Sequence, residues 1–420
     1  LITVRDETHL YWTKKNNAFL PMYKERKNRQ FLDSIYKETG ALFISRRDVI
    51  TEKSRIGSDI YLFEAPLNES IDIDTYQDWW VAENLLKRIT VVFRVDGDKV
   101  IGLGHVYRAI TLANRMFNQN IYFLMDKTKK LGIEKVIEYN YPIITINNEH
   151  DALLKLDKIR PQIVINDILD TTEEYVMKLK EKHYFVVNFE DLGRGSEYAD
   201  LVINALYEKT EPPENNYYGY KYVCLRDQFH IFPPKEVTPK VKKILILFGG
   251  SDPNNLTLRS LKAIEKLDLK DIEILIILGL GYDYKDKLYP YINNLKKNGF
   301  NINVKENVKI MAKLLSEADI VVTSNGRTIY EVAAMGVPCI SISQNEREVR
   351  HLFSHTCRGI VDLGIESNVT KENVALALEK MIKDHHLRQR MSKTLKSFNL
   401  KKGPDRVIKL ISDKYWETKN

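Results

Sequence analysis

From Thr90 onward, short runs of apolar and β-branched residues alternate with longer stretches in which apolar positions recur every three to four residues. That alternation predicts β-strands separated by amphipathic helices, the signature of parallel-sheet units. The first series of strands is predicted at Thr90–Val95, Ile121–Met125, Pro142–Ile146, Gln162–Asn166, Phe185–Phe189 and Leu201–Ile203. Their near-continuous apolar character predicts burial on both faces. A proline-rich stretch, Phe232-Pro233-Pro234-Lys235 with Pro239 close behind, reads as a linker. The alternation then restarts with strands at Lys243–Phe248, Glu273–Leu278, Ile302–Val304, Ile320–Thr323 and Cys339–Ser343.

The reading is therefore α/β, with two consecutive doubly wound, Rossmann-like lobes, 89–235 and 236–420. Such lobes place the C-terminal ends of their strands across a shared cleft, where ligands bind. After Gly364 the pattern turns helical (Lys371–Lys383, His386–Ser397, Pro404–Trp416), which predicts helices packing back across both lobes. Residues 1–88 do not join the rhythm. They carry two apolar strands, Ala41–Ser45 and Ile60–Glu64, and a helix from Asp74 to Lys87, thin material for an independent core. This segment is expected to fold as part of something larger or to pair with another copy, a homo-oligomer contact. The first residue, Leu1, already lies in what reads as a strand, so an earlier segment is expected to precede it.

Composition changes this picture little. The 64 Lys and Arg against 57 Asp and Glu give a net charge of +7, but the signs are interleaved, which speaks for a solvated surface and against nucleic acid. Cys224, Cys339 and Cys357 are far apart and lack paired spacing, which argues against a disulfide framework or a structural metal and for the cytoplasm. No apolar run has the length of a membrane span.

Candidate chemistry sits in the loops after strands. Arg94-Val95-Asp96 is followed by Gly102-Leu103-Gly104-His105-Val106-Tyr107-Arg108 and an amphipathic helix. Glycines between strand and helix admit a ligand to the backbone, and the helix start offers unpaired N–H groups. His105, at the cleft edge, could take a proton from water or a sugar hydroxyl; equally, it could cap the helix. Asp96 is grouped with it as catalytic, and Gly104 and Arg108 with the substrate. In the second lobe, Gly249-Gly250-Ser251 closes the first strand, as phosphate contact or plain cap. Ser324-Asn325-Gly326-Arg327-Thr328 makes a polar turn into a helix, which suits a diphosphate. Glu331 follows about one turn later, with two acceptor oxygens for ribose hydroxyls, or merely as a dipole-favoured acid. Gln344 and Asn345, after another strand end, face the sugar or phosphate or simply start a helix.

The Gly-Leu-Gly-His-Val-Tyr-Arg loop, Leu225-Arg226-Asp227-Gln228-Phe229, the Gly-Gly-Ser-Asp turn and the Asn-Gly-Arg-Thr-Ile-Tyr-Glu helix start resemble the UDP-sugar hydrolases of pseudaminic acid biosynthesis and their spore-coat polysaccharide relatives. The second lobe also resembles the GT-B enzyme that adds N-acetylglucosamine to lipid-linked peptidoglycan precursors. The resemblance implies a GT-B fold, a UDP-sugar substrate and no cofactor for this part. It also implies that His105 acts on water, that Glu331 holds the uridine ribose and that the adjacent turn holds the diphosphate. The chain departs from the hydrolase pattern twice. Tyr330, assigned to the substrate, stands where that family has Asn, and Asp167-Ile168-Leu169-Asp170 stands where it has Asp-His-Tyr-Gly.

The first 88 residues resemble something else. Tyr23 to Gln30, Glu38 to Ile44 and Glu69 to Thr75 are similar to the C-terminal half of acylneuraminate cytidylyltransferases. The resemblance implies that Asp72 and Asp74 position Mg²⁺ on nucleotide phosphates in an intact domain. It also implies that the basic stretch with Arg26 and Arg29 lies in a dimerisation part and reaches a sugar acid. The glycine- and basic-rich CTP loop would precede Leu1, so cytidylyl transfer is expected to be lost. Together the two resemblances imply a bifunctional enzyme of nonulosonic acid biosynthesis. The rivals are a GT-B UDP-glycosyltransferase for surface polysaccharide and a non-catalytic assembly partner.

Overall fold

The computed structural model describes residues 1–98 and 101–419. The chain divides into two compact units, Leu1–Arg88 and Ile89–Asn420.

In the first unit, β1 (Ile2–Asp6), β2 (Trp12–Lys15), β3 (Ala18–Pro21), β4 (Tyr36–Phe43) and β5 (Leu62–Glu64) precede one helix, Tyr76–Leu86. β1 lies between β4, antiparallel, and β5, parallel. β2 and β3 form a separate hairpin turned by Asn16 and Asn17, both at positive φ, as two-residue hairpin loops require. Ile2 and Val4 are buried, whereas Phe19, Trp79 and Trp80 are each more than 60% exposed. The helix is closed at its start by a Thr75–Asp78 capping box but buries no residue. Two features differ from the sequence reading. The strand expected at Ala41–Ser45 begins earlier, at Tyr36, because pairing with β1 recruits the polar Lys37 and Glu38. The hairpin was not legible as apolar alternation, since β3 is exposed throughout.

The second unit contains the two predicted lobes. In the first, β6 (Thr90–Val95), β7 (Asn120–Asp126), β8 (Ile143–Ile146), β9 (Ile163–Asp167), β10 (Phe185–Phe189), β11 (Leu201–Asn204) and β12 (Asn216–Tyr218) form one parallel sheet, ordered β12-β11-β10-β9-β6-β7-β8. In the second, β13 (Lys243–Leu247), β14 (Glu273–Leu278), β15 (Ile302–Glu306), β16 (Ile320–Ser324), β17 (Cys339–Ser343) and β18 (Ile360–Ile365) are parallel in the order β15-β14-β13-β16-β17-β18. β12 and β18 escape the sequence reading, whereas the other two edge strands, β8 and β15, do not. β12 is only half-buried, and Asp362 and Gly364 interrupt the apolar run of β18.

The C-terminal helices tie the lobes together. Val374, Ala375, Leu378 and Met381 of Lys371–Lys383 pack into a second-lobe core. Val407, Ile411 and Tyr415 of Gly403–Glu417, spaced by four, enter the core of the first lobe. Gly403 allows the return: a Cβ there would stand 1.9 Å from the Val223 carbonyl oxygen. Arg388, fully buried, donates to the carbonyls of Thr238 and Pro239 at 2.9 and 2.7 Å, and so pins the proline-rich linker against the preceding helices.

Candidate functional site

In both lobes the strand order reverses beside the first strand of the series, between β6 and β9 and between β13 and β16. Loops leaving the C-terminal ends of such strands diverge and open a crevice. Those crevices meet in a cavity of about 240 Å³. Gly102 to Gly104, Tyr107, Arg108 and Glu190 line it from the first lobe, and Gly249, Gly250, Arg327, Thr328 and Glu331 from the second.

The first-lobe wall is a buried charge cluster. Asp167, the last residue of β9, accepts from Arg108 Nε at 2.7 Å and Nη2 at 2.5 Å, and its Oδ1 is bonded to His105 Nδ1. The other Arg108 terminal nitrogen donates to Glu190 at 2.7 Å, and the guanidinium lies over the Phe189 ring at 4.6 Å. Glu190 follows β10 and sits at φ 52°. Burial opposes the charge of Asp167, but Arg108 and His105 outweigh it and hold the carboxyl well below the usual carboxylate range. An ionised carboxylate only accepts, so His105 carries its proton on Nδ1 and presents Nε2 as the free acceptor. No described residue bonds that Nε2. Burial, reinforced by Arg327 and Arg108 against the pull of Asp167, lowers the pKa of His105 below its ordinary 6.5 and keeps the ring neutral.

The second-lobe wall relies on backbone as much as on side chains. Gly249 has φ 72°, and a Cβ on the neighbouring Gly279 would stand 2.2 Å from the Gly250 carbonyl oxygen. Two chain segments thus meet where only glycine fits. Glu331 accepts from Arg226 at 2.9 and 3.1 Å, and Arg226 stacks over Tyr107 at 4.8 Å.

Of the sequence-predicted residues, the structure brings Gly104, Arg108, Gly249, Gly250, Thr328 and Glu331 to the cavity wall; His105, next to Gly104 in the chain, is buried and is not itself a lining residue. Others lie off the wall, each for a local reason. Asp96 pairs with Arg94 at 2.7 Å and accepts the Asp126 N–H at 2.9 Å, tying β6 to β7. The Tyr330 ring is fully buried and stacked on Phe353 at 4.6 Å. Asn325, also fully buried, donates to the carbonyls of Glu348 and His351. Ser324 is buried, Ser251 half-buried, and Gly326 abuts the Glu348 carboxylate. Asn345 caps the short helix Glu346–Val349, and Gln344 donates to the Phe248 carbonyl at 3.1 Å. Sequence reasoning missed Asp167, Glu190, Arg226 and Arg327 as site residues. The available signal was that Asp167 ends, and Glu190 directly follows, an otherwise apolar strand at the cleft side. Asp72 and Asp74 of the first unit are exposed, and no cluster of three or more His, Cys, Asp or Glu suited to a metal occurs among the described residues. Two carboxylates supply only part of an octahedral Mg²⁺ shell, which waters and substrate phosphate oxygens complete.

Among solved structures, Acinetobacter baumannii MurG superposes on 77% of the chain and 99% of its own length, at a TM-score of 0.56 and 16% identity. The second unit has the GT-B fold. Residues 244–407, nearly all of the second GT-B lobe, match the model of the glycosyltransferase family 28 C-terminal domain. The chain is 32% identical over 267 residues to the uncharacterized protein MJ1062 of Methanocaldococcus jannaschii, covering 60% of this chain and 55% of that one. It is 26% identical to the spore coat polysaccharide biosynthesis protein SpsG of Bacillus subtilis, covering 76% of this chain and 97% of SpsG. A third relative is the UDP-2,4-diacetamido-2,4,6-trideoxy-beta-L-altropyranose hydrolase of Campylobacter jejuni, at 22% identity over 57% of this chain and 86% of that enzyme. No helix among the described residues is long and apolar enough to cross a membrane.

Proposed function

We propose that the GT-B unit hydrolyses a UDP-activated amino sugar to UDP and free sugar. The observation that carries this reading is the buried His105–Asp167 pair, next in the chain to Gly104, which lines the cavity that Glu331 lines from the opposite lobe. UDP lies with its ribose on Glu331 and its diphosphate along Gly249, Gly250, Thr328 and Arg327. His105 Nε2 takes a proton from water as the water oxygen bonds to the anomeric carbon. The bond from that carbon to the phosphate oxygen breaks, and UDP leaves with the electron pair. Asp167 stabilises the imidazolium that forms. Closure of the lobes excludes bulk water and aligns the nucleophile. The likeness to the Campylobacter hydrolase supports this reaction, and that to SpsG supports a place in surface-sugar synthesis.

In the same reading the first unit is part of a CMP-sugar-forming domain, supported by its segment resemblances. Its exposed aromatic residues, Trp79 and Trp80 among them, support a homo-oligomer contact, and the cysteine usage supports a cytoplasmic site. One finding favours a glycosyltransferase instead, the family 28 match of the second lobe. Incubation with a UDP-activated amino sugar alone separates the two. A hydrolase releases UDP without acceptor at a rate that His105→Ala abolishes; release only after an acceptor sugar is added assigns the transferase.

A further inference from the structure

Arg327 does not belong to the lobe it touches. From just before the second-lobe helix Thr328–Ala334 it reaches across the cavity, and its Nη1 donates to the Gly104 carbonyl at 2.6 Å. The fit is close enough that a Cβ on Gly104 would lie 2.9 Å from Arg327 Cδ and 3.2 Å from Nε. Nη2 stands 3.3 Å from His105 Nδ1, but the Nδ1 proton is already given to Asp167, so two donors face each other and no bond joins them. Asp167 is itself committed to Arg108 and His105, and its nearer oxygen is 3.9 Å from Arg327. Among the described residues, the guanidinium thus has one carbonyl as a well-placed acceptor, and it lines the cavity. Burial and the like charge of Arg108 push its pKa down to about 10.

We propose that Arg327 couples ligand binding to the chemical step: phosphoryl oxygens of a bound nucleoside diphosphate draw its guanidinium off Gly104 and away from the imidazole, so that His105 becomes an effective base only when the ligand is seated. The inference rests on the nucleotide reading above. A diphosphate supplies charged acceptors in the paired geometry that a guanidinium matches, which a lone carbonyl does not. The groups facing His105 are Asp167 from the end of β9, Arg108 on its own helix, Arg327 from the other lobe and, through Arg108, Glu190. Once phosphate neutralises Arg327, Asp167 acts on the ring with one opposing cation fewer. Arg327 is thereby a binding residue toward the phosphates and a positioning residue toward His105.

The test is the ring titration of His105 by NMR, assigned by the signal lost in His105→Gln, in the free protein and with saturating UDP or inorganic pyrophosphate. In the parent protein the midpoint is expected to rise by about one pH unit on binding. In Arg327→Gln the free protein should already titrate high, with little further rise, whereas Arg327→Lys keeps part of the rise. Kinetically, the acidic limb of kcat should lie above that of kcat/KM in the parent and coincide with it in Arg327→Gln. Gly104→Ala, whose added methyl displaces the guanidinium without removing its charge, should raise the midpoint of the free protein and serves if Arg327→Gln fails to fold. A parent midpoint unmoved by bound UDP, an undiminished rise in Arg327→Gln or an unchanged midpoint in Gly104→Ala overturns the coupling and leaves the nucleotide reading intact. If UDP does not bind the parent at all, the nucleotide reading fails, and this inference with it.

Discussion

The two lobes share one topology yet equip the cleft differently. The first presents a buried cluster of ionised side chains, with Arg108 between Asp167 and Glu190 and His105 on the same carboxylate. The second presents glycine backbone, the Thr328 side chain, and Glu331 held by Arg226. A wall of fixed charges sets the protonation state of a neighbour, whereas a wall of glycines lets a ligand approach the chain itself. The fold alone therefore does not divide the labour; the residues at the strand ends do.

Three substitutions break or sharpen this division. Asp167→Asn replaces the acceptor-only carboxylate that fixes the His105 tautomer with an uncharged amide that can also donate, and should lower kcat about 10³-fold, roughly 4 kcal/mol, while UDP affinity by calorimetry stays within about twofold. A comparable loss of affinity would erase the division. The same cluster sets the pH response. His105 must be neutral to accept a proton and its pKa is lowered, so kcat/KM should rise with pH and level off below 6.5. Both Asp167 and His105 have depressed folded values, so their contribution to stability is present above their unfolded values, 3.8 and 6.5. It is lost as acid is added through the folded values, and thermal melts should show that decline.

Glu331→Ala is the converse change. It removes the proposed ribose acceptor and leaves Arg226 without its carboxylate, so UDP should bind about ten- to a hundredfold more weakly, with kcat changed far less. The smallest effect is expected for Tyr330→Phe. Its ring is stacked in the core, away from the cavity, so hydrolysis kinetics should stay within about twofold; a larger change in substrate selectivity would return Tyr330 to the site.

The architecture of the second unit was legible because its central strands are buried on both faces, so burial is written into the sequence as apolar runs such as Ile244–Leu247 and Ile274–Leu278. β12 and β18 were not, since β12 is short and only half-buried and Asp362 and Gly364 break the apolar run of β18. The candidate site was half legible. Glycines at Gly104 and Gly249–Gly250 mark the sharp turns, and Glu331 stands in a recognisable helix start. The surroundings of His105 could not be read, because its partner Asp167 is 62 residues away in the chain and the neighbouring Arg327 is 222. Asp96 and Tyr330 show the reverse failure. Both neighbour the right residues in sequence, yet a salt bridge in one case and an aromatic stack in the other turn them inward.

The return of the last helix to the first lobe makes this fold a closed circuit. The backbone passes between the lobes once at the proline-rich linker and again near Gly403. Two attachments define an axis, and a swing about the line joining them is the lobe movement that would strain neither. Cutting the chain before Gly403 would strip Val407, Ile411 and Tyr415 from a core whose other buried members run from Val91 to Ile203. Dividing the protein at the linker would therefore yield two fragments, neither of them whole.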